Sequence, residues 1–187
     1  TKRSCCVGAD SHRGARIAGR MMGLFLGGRG KIAVVSSAIA SENNNYYVQV
    51  RETEFADFIH KEYPDIEIIT TLDSFEDPQI TYEKTVKLLR DYQDLQGIYI
   101  TCGGVSQVGR ALEESGRAKD IRVISFEDYP EVVDLIRKDV IDCTLAGELQ
   151  QQGEIPVQII MDRLVFGKEP AQPQIFTDIR VLVKESL

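Results

Sequence analysis

Apolar residues along this chain follow two alternating patterns. Short runs such as Ile32-Ala33-Val34-Val35 and Ile98-Tyr99-Ile100 have the length of buried strands, and between them lie longer segments with apolar residues at helical spacing. Strands are predicted near 5–9, 31–37, 66–71, 97–101, 121–126, 142–146 and 176–183. Helices are predicted near 12–27, 46–63, 79–93, 105–117, 129–138 and 149–166. Punctuation agrees: Gly27-Gly28-Arg29-Gly30 ends the first helix, Pro64 the second and Gly116 the fourth, while Pro130 suits the first turn of the fifth. Such alternation predicts an α/β fold, a parallel doubly wound sheet flanked by helices. Ligands of these sheets sit beyond the carboxyl ends of the strands.

Composition narrows the picture in three ways. At 187 residues, 43% hydrophobic and 27% charged, the chain is ordinary for a globular domain or two small lobes. No apolar run approaches the roughly 18 residues of a membrane span, so no membrane partner is expected. The net charge of −7 makes the chain a poor ligand for a phosphate backbone. Cys5, Cys6, Cys102 and Cys143 show no metal-ligand spacing, and they are read as free thiols of a reducing compartment, which places the protein in the cytoplasm. The opening TKRSCCVGAD lacks an initiator Met and is expected to belong to a fragment.

Candidate chemistry gathers at the strand ends. The turn ITCGGVSQVG has glycines at 103, 104 and 109, which satisfies neither the dinucleotide nor the P-loop spacing. His12 and His60 stand apart from any ligand set, and no nucleophile elbow is present, so an enzyme, a metal and a cofactor are not expected. Arg51 follows the second strand and can clamp hydroxyls or a carboxylate, or be a solvated helix residue. Phe75, in the polar loop LDSFEDP, can stack on a ligand ring or anchor the loop. Glu127 closes the strand in VISFEDYP, where it can accept hydrogen bonds from hydroxyls, and Asp128 beside it can cap the next helix.

The order of these motifs resembles the effector-binding domain of lac repressor-type regulators, similar in fold to the periplasmic ribose-binding proteins. CVGADSHRGARIAGRMM resembles the family's strand, turn and first helix, with Asp10, Arg16, Ala18 and Gly19 matching and Ser11 replacing an Asn. VQVRETEFADFI, ITCGGVSQVGRALEESG, IRVISFEDYPE and IDCTLAGELQQQGEIPVQIIMDRLVFGKEP follow in the family's order. The resemblance implies a type I periplasmic-binding-protein-like fold with an incomplete N-terminal lobe. It divides the chain into a C-terminal lobe with the first crossover strand at 1–147, a helix of the other lobe at 148–168, and a return strand and tail at 169–187.

Carried over residue by residue, the resemblance makes Arg51, Phe75 and Glu127 ligand-binding. Gly103 falls where the family has its ligand-binding Asn, Gly104 where its Asp follows, and Gly147 where a Gln is used. The double glycine then reads as a ligand turn stripped of side chains, with room for a larger effector, or as a pocket that no longer binds. The implied function is sensing of a sugar-like effector by a homodimeric transcriptional regulator, which meets operator DNA only through a helix-turn-helix outside this sequence. The alternatives are an exported sugar- or solute-binding protein of a transporter, and an enzyme on a similar scaffold.

Overall fold

The computed structural model describes residues 3–37 and 46–187. Residues 1–2 and 38–45, which fall in the segment predicted at 1–147, lie outside them. The strands are β1 (Cys6–Ala9), β2 (Arg29–Ser36), β3 (Asp65–Asp73), β4 (Leu95–Ile100), β5 (Arg122–Phe126), β6 (Cys143–Gly147), β7 (Gln174–Thr177) and β8 (Ile179–Leu182). The helices are α1 (Ser11–Phe25), α2 (Tyr46–Glu62), α3 (Pro78–Asp91), α4 (Val105–Ser115), α5 (Pro130–Arg137) and α6 (Leu149–Phe166). Their alternation is the α/β arrangement expected from the apolar pattern.

Strands β3-β2-β4-β5-β6-β8 form one sheet in that order, and β1 pairs with β7 in a second. The pairings β2–β3, β2–β4, β4–β5 and β5–β6 are all parallel. The chain divides into two compact units: Thr1–Asp10 with Ala146–Arg180, and Ser11–Leu145 with Val181–Leu187.

In the larger unit the period-2 geometry of a strand sorts the side chains of β4 onto two faces. Ile98 and Ile100 join a core with Leu88 of α3, Leu112 of α4 and Ile136 of α5. Tyr99 points the other way and stacks on Phe55 of α2, ring centroids 3.9 Å apart, both fully buried. Helix α3 starts where the sequence indicates, with Pro78 in its first turn and Asp77 Oδ1 accepting from the Ile80 N–H at 2.9 Å.

Arg117, just past the glycine that ends α4, gathers the carbonyls at the end of α3. Its guanidinium donates to the oxygens of Leu89, Tyr92, Gln93 and Leu95 at 2.9–3.0 Å. A planar fork meets several carbonyls at once, whereas an ammonium offers one point charge. Arg117→Ala is therefore expected to lower unfolding free energy by about 2 kcal/mol, and Arg117→Lys to restore only part of it, read from denaturant midpoints.

The strand predicted at 176–183 is two strands, β7 paired with β1 and β8 at the end of the six-stranded sheet. Asp178 leaves the ladder because its N–H donates to Gln151 Oε1 at 3.1 Å and its carbonyl accepts from the Glu148 N–H at 3.0 Å. Helix α6 contains Gly153 and Pro156 and has no buried residue. Val157, Ile160, Met161, Leu164, Val165 and Phe166 are each half or more exposed. Covering a large apolar side chain stabilises by about 1.5–3 kcal/mol, so several together drive association. Light scattering across a concentration series should show this chain self-associating, and the double variant Leu164→Glu, Phe166→Glu remaining monomeric at the same concentrations.

Candidate functional site

At the carboxyl ends of β4 and β5 the larger unit contains a cleft of about 310 Å³. Its walls come from Arg51 of α2, the turn from Thr101 to Ser106, and Phe126, Glu127, Tyr129 and Glu131 after β5. Parallel strands end on the same edge, so loops far apart in sequence meet there.

Arg51 is the centre of the cleft. Its side chain is only 15% exposed. Nη2 donates to Glu127 Oε1 at 2.9 Å and Nη1 to the Thr101 carbonyl at 3.2 Å. The guanidinium lies over the Phe126 ring, 3.9 Å from its centroid, a favourable cation–π geometry. Nε is buried and has no hydrogen-bond partner among the described residues. Tyr99, from the strand between, donates its hydroxyl to the Arg51 carbonyl at 3.3 Å and fixes that turn of α2. Burial pushes the Tyr99 phenol far up, so it stays a neutral donor.

Glu127 is held in the left-handed region, φ 69°, where residues other than glycine are uncommon. Its backbone is fixed on both sides: its N–H donates to the Leu145 carbonyl and its carbonyl accepts from Thr144 Oγ1, both at 2.8 Å. Such strain, on the order of 1 kcal/mol or more, persists where neighbours over-determine it, and here it aims the carboxylate at Arg51.

The double glycine forms the floor. A Cβ on Gly103 would meet nothing within 4 Å, so the cleft is open above it. Gly104 adopts φ 91° as the N-cap of α4, without a side-chain cap, and a Cβ there would sit 2.8 Å from Thr81 Cγ2. The first N–H groups of α4, at Val105 and Ser106, are those a helix leaves without intrahelical partners. Cys102 also lines the cleft, with Sγ 3.3 Å from Ser74 Oγ. Burial pushes this thiol up, which keeps it protonated and a poor nucleophile. Burial likewise pushes Cys143 up to about 12.

Of the five sequence candidates, Arg51, Gly103 and Glu127 come together here. Phe75 lies in the same unit but does not line the cleft; it is 54% exposed at φ 52°, with Lys84 Nζ 4.5 Å from its ring centroid. Gly147 belongs to the smaller unit, where a Cβ would meet Gln152 Nε2 and Ala9 Cβ. Tyr129 rather than Asp128 is the N-cap of α5. Tyr129 and Glu131 escaped the sequence reading, although both follow the end of β5, the position that singled out Glu127. His12 lies outside the cleft lining and ties α1 to α2, its Nδ1 2.8 Å from Glu54 Oε1, and this contact holds the Glu54 carboxyl below its ordinary range. Among the described residues no three His, Cys, Asp or Glu side chains are grouped to hold a metal.

A parallel α/β lobe with a polar, arginine-centred cleft at its strand ends is the architecture of a small-molecule binding lobe. Residues 1–169 match the family described as periplasmic binding protein domain, and the chain belongs to that family. It is similar to the crystal structure of a sugar ABC transporter sugar-binding protein from Bacillus halodurans, with 26% identity and a TM-score of 0.88, covering 99% of this chain and 65% of that one. It is also similar to GanP, a glucose-galactose binding protein from Geobacillus stearothermophilus, with 22% identity and a TM-score of 0.88 over 100% of this chain and 65% of that one. AraP, an arabinose binding protein from the same organism, matches at 23% identity and TM-score 0.88, covering 99% of this chain and 64% of that one. The chain thus spans about two thirds of the length of these proteins. No curated protein matches it.

These matches correct the expected function. The structure from Bacillus halodurans is that of a sugar-binding protein of an ABC transporter, which favours a sugar-binding protein over a transcriptional regulator. The two groups share one scaffold, so the order of motifs along the chain identified the fold and not the regulator. The expectations of transcription control and operator DNA fall with it, and the matches lend the expected homodimer no support.

Proposed function

We propose that this chain is a sugar-recognising portion of a transporter's solute-binding protein. The observation that carries the reading is the Arg51–Glu127 pair at 2.9 Å in the wall of an open cleft, in a chain whose structural relative from Bacillus halodurans is a sugar-binding protein. A sugar hydroxyl both donates and accepts. The first N–H groups of α4 supply donors, and Glu127 supplies an acceptor. Gly103 leaves space for the ring, and Phe126 and Tyr129 give the walls apolar surface.

Ligand-observed NMR against a panel of D-arabinose, D-galactose, D-glucose and D-fucose tests the reading. Saturable binding of at least one of them is expected, and binding of none would refute it.

A further inference from the structure

The cleft carries more negative than positive charge before any ligand arrives. Among the described residues its lining holds one cation, Arg51, and two carboxylates, Glu127 and Glu131. The cation is already committed: Glu127 Oε1 accepts from Nη2 at 2.9 Å, the Thr101 carbonyl accepts from Nη1, and the guanidinium rests on Phe126. Two of its three nitrogens are thus occupied, and only Nε lacks a partner among the described residues. Helix ends add partial positive charge, but only about half a unit each. At α5 that charge faces Glu131 in the helix's own first turn, which leaves the end of α4 as the one uncompensated contribution. Half a unit does not offset the surplus carboxylate.

We infer that Glu127 is a specificity determinant, and that the Arg51–Glu127 pair makes this cleft select neutral sugars over the corresponding sugar acids. The inference rests on the sugar-binding reading above. A neutral hydroxyl can join the pair by donating to Glu127 without displacing either partner, because the carboxylate has acceptor sites beyond the one that Nη2 uses. A ligand carboxylate seated in the same place would share one guanidinium with Glu127, two like charges in hydrogen-bond range of one cation. It would have to evict Glu127 from Arg51 or take up a proton, and both weaken binding. The backbone of Glu127, φ 69° and bonded to Leu145 and Thr144, is held in place, so the carboxylate can leave Arg51 only by turning its own side chain and giving up the 2.9 Å bond.

The test measures dissociation constants by ligand-observed NMR at pH 7 for two matched pairs, D-galactose with D-galacturonate and D-glucose with D-glucuronate. The 187-residue chain and its Glu127→Gln variant are compared. Gln keeps an oxygen for Nη2 and removes only the charge. In the unaltered chain the acid of a pair whose neutral member binds is expected to bind at least about tenfold more weakly, and in Glu127→Gln that gap is expected to shrink by about tenfold. Acid and neutral sugar binding within about twofold of each other in the unaltered chain would overturn the inference, as would a ratio untouched by the substitution; the first holds whether or not the variant folds. Tighter binding of the acids leaves the sugar site standing and removes the charge filter. If neither D-galactose nor D-glucose binds, the sugar of the panel above that does bind is compared with its own uronic or aldonic acid in the same way; absence of binding by the whole panel removes the sugar-binding reading itself.

Discussion

An Arg51→Ala variant is expected to lose sugar binding by about a hundredfold and to unfold about 2 kcal/mol more easily than the unaltered chain. Both effects have one origin. The Arg51 side chain is only 15% exposed, so truncation leaves the Glu127 carboxylate and the Thr101 carbonyl without their donor in a place water reaches poorly. The Phe126 ring loses the cation that covers it. Glu127 is one-third exposed, which screens the lost pair and keeps the stability cost nearer 2 than the 3–5 kcal/mol of a fully buried one. Arg51→Lys is expected to recover most of the stability and little of the binding, because a lysine cannot reach Glu127, Thr101 and a ligand with one ammonium. Denaturant unfolding and ligand-observed NMR read the two effects separately; equal affinity in all three chains would remove Arg51 from the site.

Phe55→Ala carries the largest expected stability loss, about 3–5 kcal/mol. Phe55 and Tyr99 are both fully buried and stacked with an interplanar angle of 20°, so removing one ring opens a cavity against the other. The consequence reaches the cleft, because the Tyr99 hydroxyl holds the Arg51 carbonyl. Tyr99→Phe provides the separating control: it keeps the stack and drops only that hydrogen bond, at a cost of about 1 kcal/mol. Denaturant midpoints that leave Phe55→Ala within about 1 kcal/mol of the unaltered chain would show that this face of the sheet is not close-packed.

Helix positions were legible because each carries its own signal. The helices predicted at 79–93, 105–117 and 149–166 form at Pro78–Asp91, Val105–Ser115 and Leu149–Phe166, bounded by Asp77, Gly116 and Gly167. Strand ends were legible too, which is why Arg51 and Glu127 could be singled out, while Gly103 entered through the family resemblance. Their meeting was not. Arg51 follows β2 and Glu127 follows β5, and β4 lies between those strands in the sheet. Only a side chain as long as arginine, crossing above the Thr101 carbonyl at the end of β4, closes that gap. Strand order is set by packing of the whole sheet, and hydrophobic period says nothing of it.

Two other features were hidden for related reasons. The break at Asp178 depends on Gln151 and Glu148, which lie 27 and 30 residues earlier and reach it only in the folded chain. Phe75 looked equivalent to Glu127 as a residue beyond a strand end, yet two successive left-handed residues, Phe75 and Glu76, turn the loop after β3, and Ser37 Oγ holds Glu76 by donating to its carboxylate at 3.1 Å. That geometry carries the ring into solvent rather than onto the cleft wall. Function was the least legible, since regulators and transporter proteins built on one scaffold place similar residues at similar strand ends.

The proposed sugar site is one cleft. Amide NMR shifts recorded while the chain is titrated with the best-binding neutral sugar test it most directly. Saturable movement concentrated in Thr101 to Ser106 and Phe126 to Glu131, and absent in Arg51→Ala, is the predicted result. Saturable movement confined to other residues, or movement that persists unchanged in Arg51→Ala, would contradict it.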